Sequence, residues 1–170
     1  SLGLVSPAEF IPLAERTGSM ASLTHWVIEE AIRQIAEWAR RGLLIQLSVN
    51  ISVDDLADDD LAIRVTTLLA QHGVQAEQLL FEITESAIMH NPRQALSVLE
   101  QLRGCGISLS VDDFGTGYSS LAQLQRLPVQ ELKIDQSFVR NLDNEGGDGV
   151  IVRSTIEMSH NLGLKVVAEG

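Results

Sequence analysis

The chain has 170 residues, 45% of them hydrophobic, which is enough for one domain with a substantial core and argues against disorder. Its formal net charge of −11, from 23 acidic against 12 basic residues, disfavours a broad nucleic-acid interface, which needs a basic face. No apolar run approaches a membrane span, and the lone cysteine, Cys105, rules out an intrachain disulfide and fits a reducing, cytoplasmic setting. We read Cys105, between Gly104 and Gly106, as a small buried filler rather than a nucleophile.

The chain opens on two helices. Ser6-Pro7-Ala8-Glu9 has the form of a helix start, with Ser6 as N-cap and Glu9 completing a capping box, and Gly18 ends that helix. The stretch 21–41 follows, with Leu23, Val27, Ala31, Ile35 and Trp38 at helical spacing and Gly42 as terminator. From there strands and helices alternate. Strands are expected at 44–51, 79–84, 107–112, 131–135 and 165–169, and helices at 60–72, 92–103 and 149–161. A loop and short helix run through Gln125.

Five strands separated by helices imply parallel βα units with right-handed crossovers. An open doubly wound sheet and a (β/α)8 barrel both accommodate that alternation. The strand ends favour the barrel: Asn50, Glu82 with Glu85, Asp112 with Asp113, Lys133 with Asp135, and Glu169 each close a strand. A barrel gathers all such ends around one mouth, whereas an open sheet spreads them along an edge.

Asn50, Glu82 and Asp112 offer oxygen donors from three adjacent strands, a set suited to Mg²⁺ or Mn²⁺ rather than zinc. His25, His72, His90 and His160 form no metal-binding pattern. Asp112 and Asp113 can each serve a different ion of a two-metal site that clamps a phosphodiester, and Lys133 can hold the attacking water or stabilise negative charge. An acidic chain can bind an anionic substrate when metal ions invert the local charge. Gly115 and Gly117, followed by Ser119 and Ser120 as caps, read as a glycine-hinged loop over the barrel mouth.

Ser6-Pro7-Ala8-Glu9-Phe10, Ser48-Val49-Asn50-Ile51-Ser52, Glu82-Ile83-Thr84-Glu85-Ser86, the stretch from Asp112 to Leu121 (DDFGTGYSSL), Lys133-Ile134-Asp135 and Val167-Ala168-Glu169-Gly170 resemble the EAL domain family in order and spacing. The resemblance implies a TIM-type barrel that hydrolyses cyclic di-GMP to linear pGpG with two Mg²⁺ or Mn²⁺ ions in bacterial signalling. By motif position, Asn50, Glu82, Asp112 and Glu169 resemble ligands of the first metal and Asp113 that of the second. Lys133 resembles the residue orienting the hydrolytic water, and Asp113 and Glu169 count with it as catalytic. Glu85 resembles the anchor of the glycine loop, and Asp135 a substrate-facing residue.

The family's Glu-Ala-Leu signature does not occur in the sequence. The resemblance therefore implies a barrel incomplete at both ends over residues 1–170, with about strands three to seven present. On that reading the parent domain is a hydrolase and the isolated chain is inactive. Open sheet edges leave room for a homodimer. The resemblance also implies a parent fused to sensory or GGDEF domains, with any membrane anchor lying in other segments. The alternative is a degenerate EAL domain that binds cyclic di-GMP or a protein partner without hydrolysis.

Overall fold

The computed structural model describes residues 3–115, 121–140 and 147–169. Two helices, α1 (Pro7–Thr17) and α2 (Met20–Arg40), precede the alternating part. That part runs β1 (Leu47–Asn50), α3 (Leu61–His72), β2 (Leu79–Thr84), α4 (Glu85–His90), α5 (Pro92–Gly104), β3 (Ser108–Phe114), α6 (Leu121–Leu124), β4 (Glu131–Ile134), α7 (Gln136–Arg140), α8 (Asp148–Asn161) and β5 (Lys165–Ala168).

All four strand pairings are parallel, and the strands lie in the order β1-β2-β3-β4-β5. A doubly wound sheet reverses its strand order at a switch point; this sheet never does. Each strand instead pairs with the one before it, as in a (β/α) barrel. The chain is thus α/β, an arc of five barrel strands.

The helices cover one face of that arc. Leu79, Phe81 and Ile83 of β2, Leu109 and Val111 of β3, and Leu132 and Ile134 of β4 are buried in one core with Ile28, Ile32 and Ile35 of α2, Val65 of α3 and Leu99 of α5. Alternation then aims Asn50, Glu82, Thr84, Ser110, Asp112 and Lys133 at the opposite face. Register places Asn50 opposite Glu82, Glu82 opposite Ser110, and Thr84 opposite Asp112, so these polar residues form one patch at the C-terminal ends of the strands.

Several local expectations need correction. β1 begins at Leu47, not Leu44, and Leu43, Leu44 and Ile45 are exposed. Those apolar residues resemble a strand in sequence, but β2 begins at Leu79, opposite Leu47, and a 3-10 turn at Ala76–Gln78 precedes it, so they have no strand to pair with there. Ser6 stands at the N-cap of α1 but makes no side-chain cap, so the capping box is not formed there. The buried face of α2 is Thr24, Ile28, Ala31, Ile32 and Ile35, rotated from the expected stripe, so that Trp38 is only half-buried. Cys105 is exposed rather than buried, because it follows the end of α5 where the chain turns at the surface. Among the described residues no helix is long and apolar enough to cross a membrane.

Candidate active site

Lys133 stands at the centre of the polar patch. Its Nζ lies 2.5 Å from Glu169 Oε1, 3.1 Å from Glu82 Oε2 and 3.2 Å from Asp112 Oδ1. An ammonium has three N–H donors, and here three carboxylates from three other strands or strand ends surround it. Burial pulls the Lys133 pKa down, but Glu169, Glu82 and Asp112 outweigh it and hold the group above the ordinary lysine value. The lysine is therefore charged at any physiological pH.

Asp113 should point away from Asp112, since consecutive strand residues face opposite sides. It does not, because the β3–β4 register shifts between Val111 and Phe114 and Asp113 adopts φ 52°. The irregularity turns Asp113 to the same side, so that carboxylate oxygens of Asp112, Asp113 and Glu169 lie within 4.8 Å of one another.

Three carboxylates that close repel one another. Burial first, then the charge of Asp112 and a hydrogen bond to Asp135, raise the Asp113 pKa from its ordinary value. Asp135 shifts the other way, chiefly because the Ser137 hydroxyl and backbone N–H both donate to it. Of the Asp113–Asp135 pair, Asp113 is accordingly the carboxyl that takes up a proton more readily. The donor set, hard oxygens on a crowded anionic patch, fits a divalent cation of the Mg²⁺ class, which would relieve that repulsion.

Glu85 is 4% exposed and opens α4 directly after β2. Thr84 caps this helix, its Oγ1 accepting from Ala87 N at 3.3 Å. The Glu85 carboxylate instead accepts the Gly115 N–H at 3.2 Å. Gly115 has φ 104°, which only glycine adopts without strain. The rest of the loop, with Gly117, Ser119 and Ser120, lies outside the described residues.

The structure thus brings Glu82, Asp112, Asp113, Lys133, Asp135 and Glu169 together, with Glu85 behind the β3 turn. Asn50 shares their face beside Glu82 but is exposed. Glu82 joins the group through Lys133 rather than through the tight carboxylate trio. Sequence reasoning missed the Asp113–Asp135 pairing, and the only signal for it was the spacing of Asp135 one residue past the end of β4. It also missed Ser110, whose Oγ is fully buried on this face with no hydrogen-bond partner among the described residues.

The sequence matches the EAL domain family over residues 1–170. It is 41% identical to the bifunctional diguanylate cyclase/cyclic di-GMP phosphodiesterase MucR of Pseudomonas aeruginosa over 169 residues, which are 99% of this chain and 25% of that protein. The cyclic di-GMP phosphodiesterase PdeR of Escherichia coli is 38% identical over 168 residues, 99% of this chain and 25% of that protein. The solved PaMucR phosphodiesterase in its c-di-GMP complex superposes with a TM-score of 0.93 at 41% identity, covering 100% of this chain and 69% of that one. The chain spans about a quarter of the length of the curated relatives it matches. With a family match along its whole length and the same fold in a relative of high identity, the chain belongs to the EAL domain family.

Proposed function

We propose that a domain containing this chain hydrolyses one phosphodiester of cyclic di-GMP to give linear pGpG, using two Mg²⁺ or Mn²⁺ ions. The observation that carries this reading is the carboxylate trio Asp112, Asp113 and Glu169 packed within 4.8 Å beside the Lys133 ammonium. The relatives' named substrate and the c-di-GMP complex of the structural neighbour support the choice of substrate.

Asn50, Glu82, Asp112 and Glu169 would hold one ion and Asp113 the other. When bound, such ions neutralise phosphate charge and lower the pKa of a coordinated water. Lys133 keeps a fixed positive charge and N–H donors beside the reacting centre, suited to orienting the attacking water and steadying the charge that develops on phosphorus oxygens. Water oxygen bonds to phosphorus, the P–O3′ bond breaks, and O3′ leaves with a proton, so the product carries a 5′-phosphate. Asp135 keeps its charge through two Ser137 donors and hydrogen-bonds Asp113, which suits it to contact the substrate. Glu85 anchors the β3 turn through Gly115.

The test is to incubate a domain containing this chain with cyclic di-GMP and Mg²⁺ or Mn²⁺ and resolve the products. Formation of pGpG, abolished by chelation and by Asp113→Asn, is the expected result. Metal-dependent binding of cyclic di-GMP without cleavage would assign the chain to the receptor class instead.

A further inference from the structure

The turn that carries Asp113 is held in an unfavourable backbone region. Asp113 is the one described non-glycine residue with positive φ, at 52°, and Gly115 follows at 104°. Such turns relax unless their surroundings over-determine them.

Three groups surround this one. Glu85 accepts the Gly115 N–H, and Asp135 shares a hydrogen bond with Asp113. The third is an aromatic ring: a Cβ placed on Gly115 would lie 3.0 Å from Phe138 Cε2 and 3.4 Å from Cζ. The ring therefore rests against the bare Gly115 Cα. Phe138 is half-buried against the core and lies on α7. Asp135 fixes the start of that helix by accepting from Ser137 N at 2.9 Å and from the Ser137 hydroxyl. Phe138 N in turn donates to Asp135 O at 3.2 Å. Asp135 and Phe138 are thus one rigid turn of backbone, touching the β3 turn at its carboxylate and at its glycine.

We infer that Phe138 is a positioning residue, whose ring pins the Gly115 backbone so that the Asp113 carboxylate faces Asp112 and Glu169. Through it α7 sets the affinity of the second metal position. The inference rests on the reading of Asp113 as a metal ligand, and Phe138 itself touches neither metal nor substrate.

Calorimetric titration of Mn²⁺ into a domain containing this chain tests it, with thermal melting of the same preparations. Wild type is expected to bind two ions. Phe138→Ala should weaken the second by about tenfold or more, within the range seen when groups supporting a metal ligand are removed, and leave the first nearly unchanged. Phe138→Leu, which restores bulk against Gly115, should recover most of the loss. Val139→Ala, a neighbouring core contact on the same helix, should lower the melting midpoint without moving either affinity.

A folded Phe138→Ala chain that binds both ions as wild type does overturns the inference and leaves the proposed function standing. So does a Val139→Ala chain whose second affinity falls as far as that of Phe138→Ala. If Phe138→Ala does not fold, Phe138→Leu carries the test, and a second affinity as weak as that of Asp113→Asn overturns the role of ring bulk. A wild-type domain that binds no Mn²⁺ overturns the inference together with the metal reading of the site.

Discussion

Leu79, Phe81 and Ile83 alternate along β2 with Leu80, Glu82 and Thr84, so one six-residue strand feeds two unlike environments. On the helix side the neighbours are the apolar side chains Leu109, Val111, Leu132 and Ile134. On the mouth side they are Ser110, Asp112 and Lys133, all nearly as inaccessible, with Ser110 at 0% exposure and Asp112 and Lys133 at 9%. Burial alone therefore does not distinguish the two faces. The helix face gains free energy for every methylene removed from water. The mouth face buries charge, which costs desolvation and is tolerated only because each charge has partners. The same strand geometry thus secures the fold on one side and, on the proposed reading, holds reactive groups in place on the other.

That contrast breaks most visibly at Phe81, which is 0% exposed. Phe81→Ala should cost about 3–5 kcal/mol of stability, the usual range for deleting a buried aromatic. Chemical denaturation measures the loss, and metal affinity per folded molecule should be unchanged.

Lys133→Met probes the other face. It removes the counter-charge of three carboxylates, and breaking a buried ion pair typically costs about 3–5 kcal/mol. Glu169 is 34% exposed on its side chain, so the cost here should lie at the low end, about 3 kcal/mol. Millimolar Mg²⁺ should raise the melting midpoint of Lys133→Met more than that of wild type, whereas it should do nothing particular for Phe81→Ala. Equal Mg²⁺ shifts in the three proteins would erase the distinction between the faces.

Glu85→Ala separates positioning from packing within the mouth face. Loss of a charge-assisted hydrogen bond of about 1.5–3 kcal/mol should lower turnover by roughly 10- to 100-fold with a modest change in midpoint. Thr84→Val should do the reverse, because it removes the α4 cap and leaves the Gly115 contact. Measuring kcat and midpoint on one preparation of each settles which residue does which task.

The smallest effect belongs to the outer surface. Arg64 hydrogen-bonds Asp58 and lowers its pKa below the ordinary carboxylate value, with burial opposing. A depressed folded-state pKa contributes stability above the unfolded value of about 4, and that stability is lost as pH falls through the folded value. Both side chains are substantially exposed, at 31% and 40%, so the pair is worth no more than about 1 kcal/mol. Asp58→Asn should therefore lower the midpoint slightly at pH 7, and the difference from wild type should shrink as pH falls below about 4.

The elements legible in the sequence are those whose pattern matches their surroundings on both sides. β2 runs from Leu79 to Thr84 as expected, because it is central and its six residues alternate or pack without ambiguity. The ends of α3 and α1 at Gly73 and Gly18 are likewise as expected, since both glycines adopt the left-handed conformation that ends a helix. β1 misleads because Leu43 to Ile45 are apolar for reasons other than pairing within this sheet. The helices α4 and α7 escape notice because six and five residues are too few for a period to show. At the mouth, the residue types at the strand ends were readable one by one. Their convergence on Lys133 was not, since it depends on register. Nor was the turning of Asp113, which depends on a backbone irregularity that two consecutive aspartates do not announce.

The unbroken strand order has a consequence for how the chain comes into being. Each strand pairs with the one completed immediately before it, across a single crossover. The sheet can therefore grow in the direction of synthesis, each strand docking on a finished neighbour without waiting for distant sequence. The carboxylates around Lys133 are collected in the same order, Glu82 first, then Asp112, and Glu169 last with β5. A nascent chain halted after β4 already has its lysine but lacks its shortest ion pair, so among the described elements it is β5 that brings Lys133 its third carboxylate.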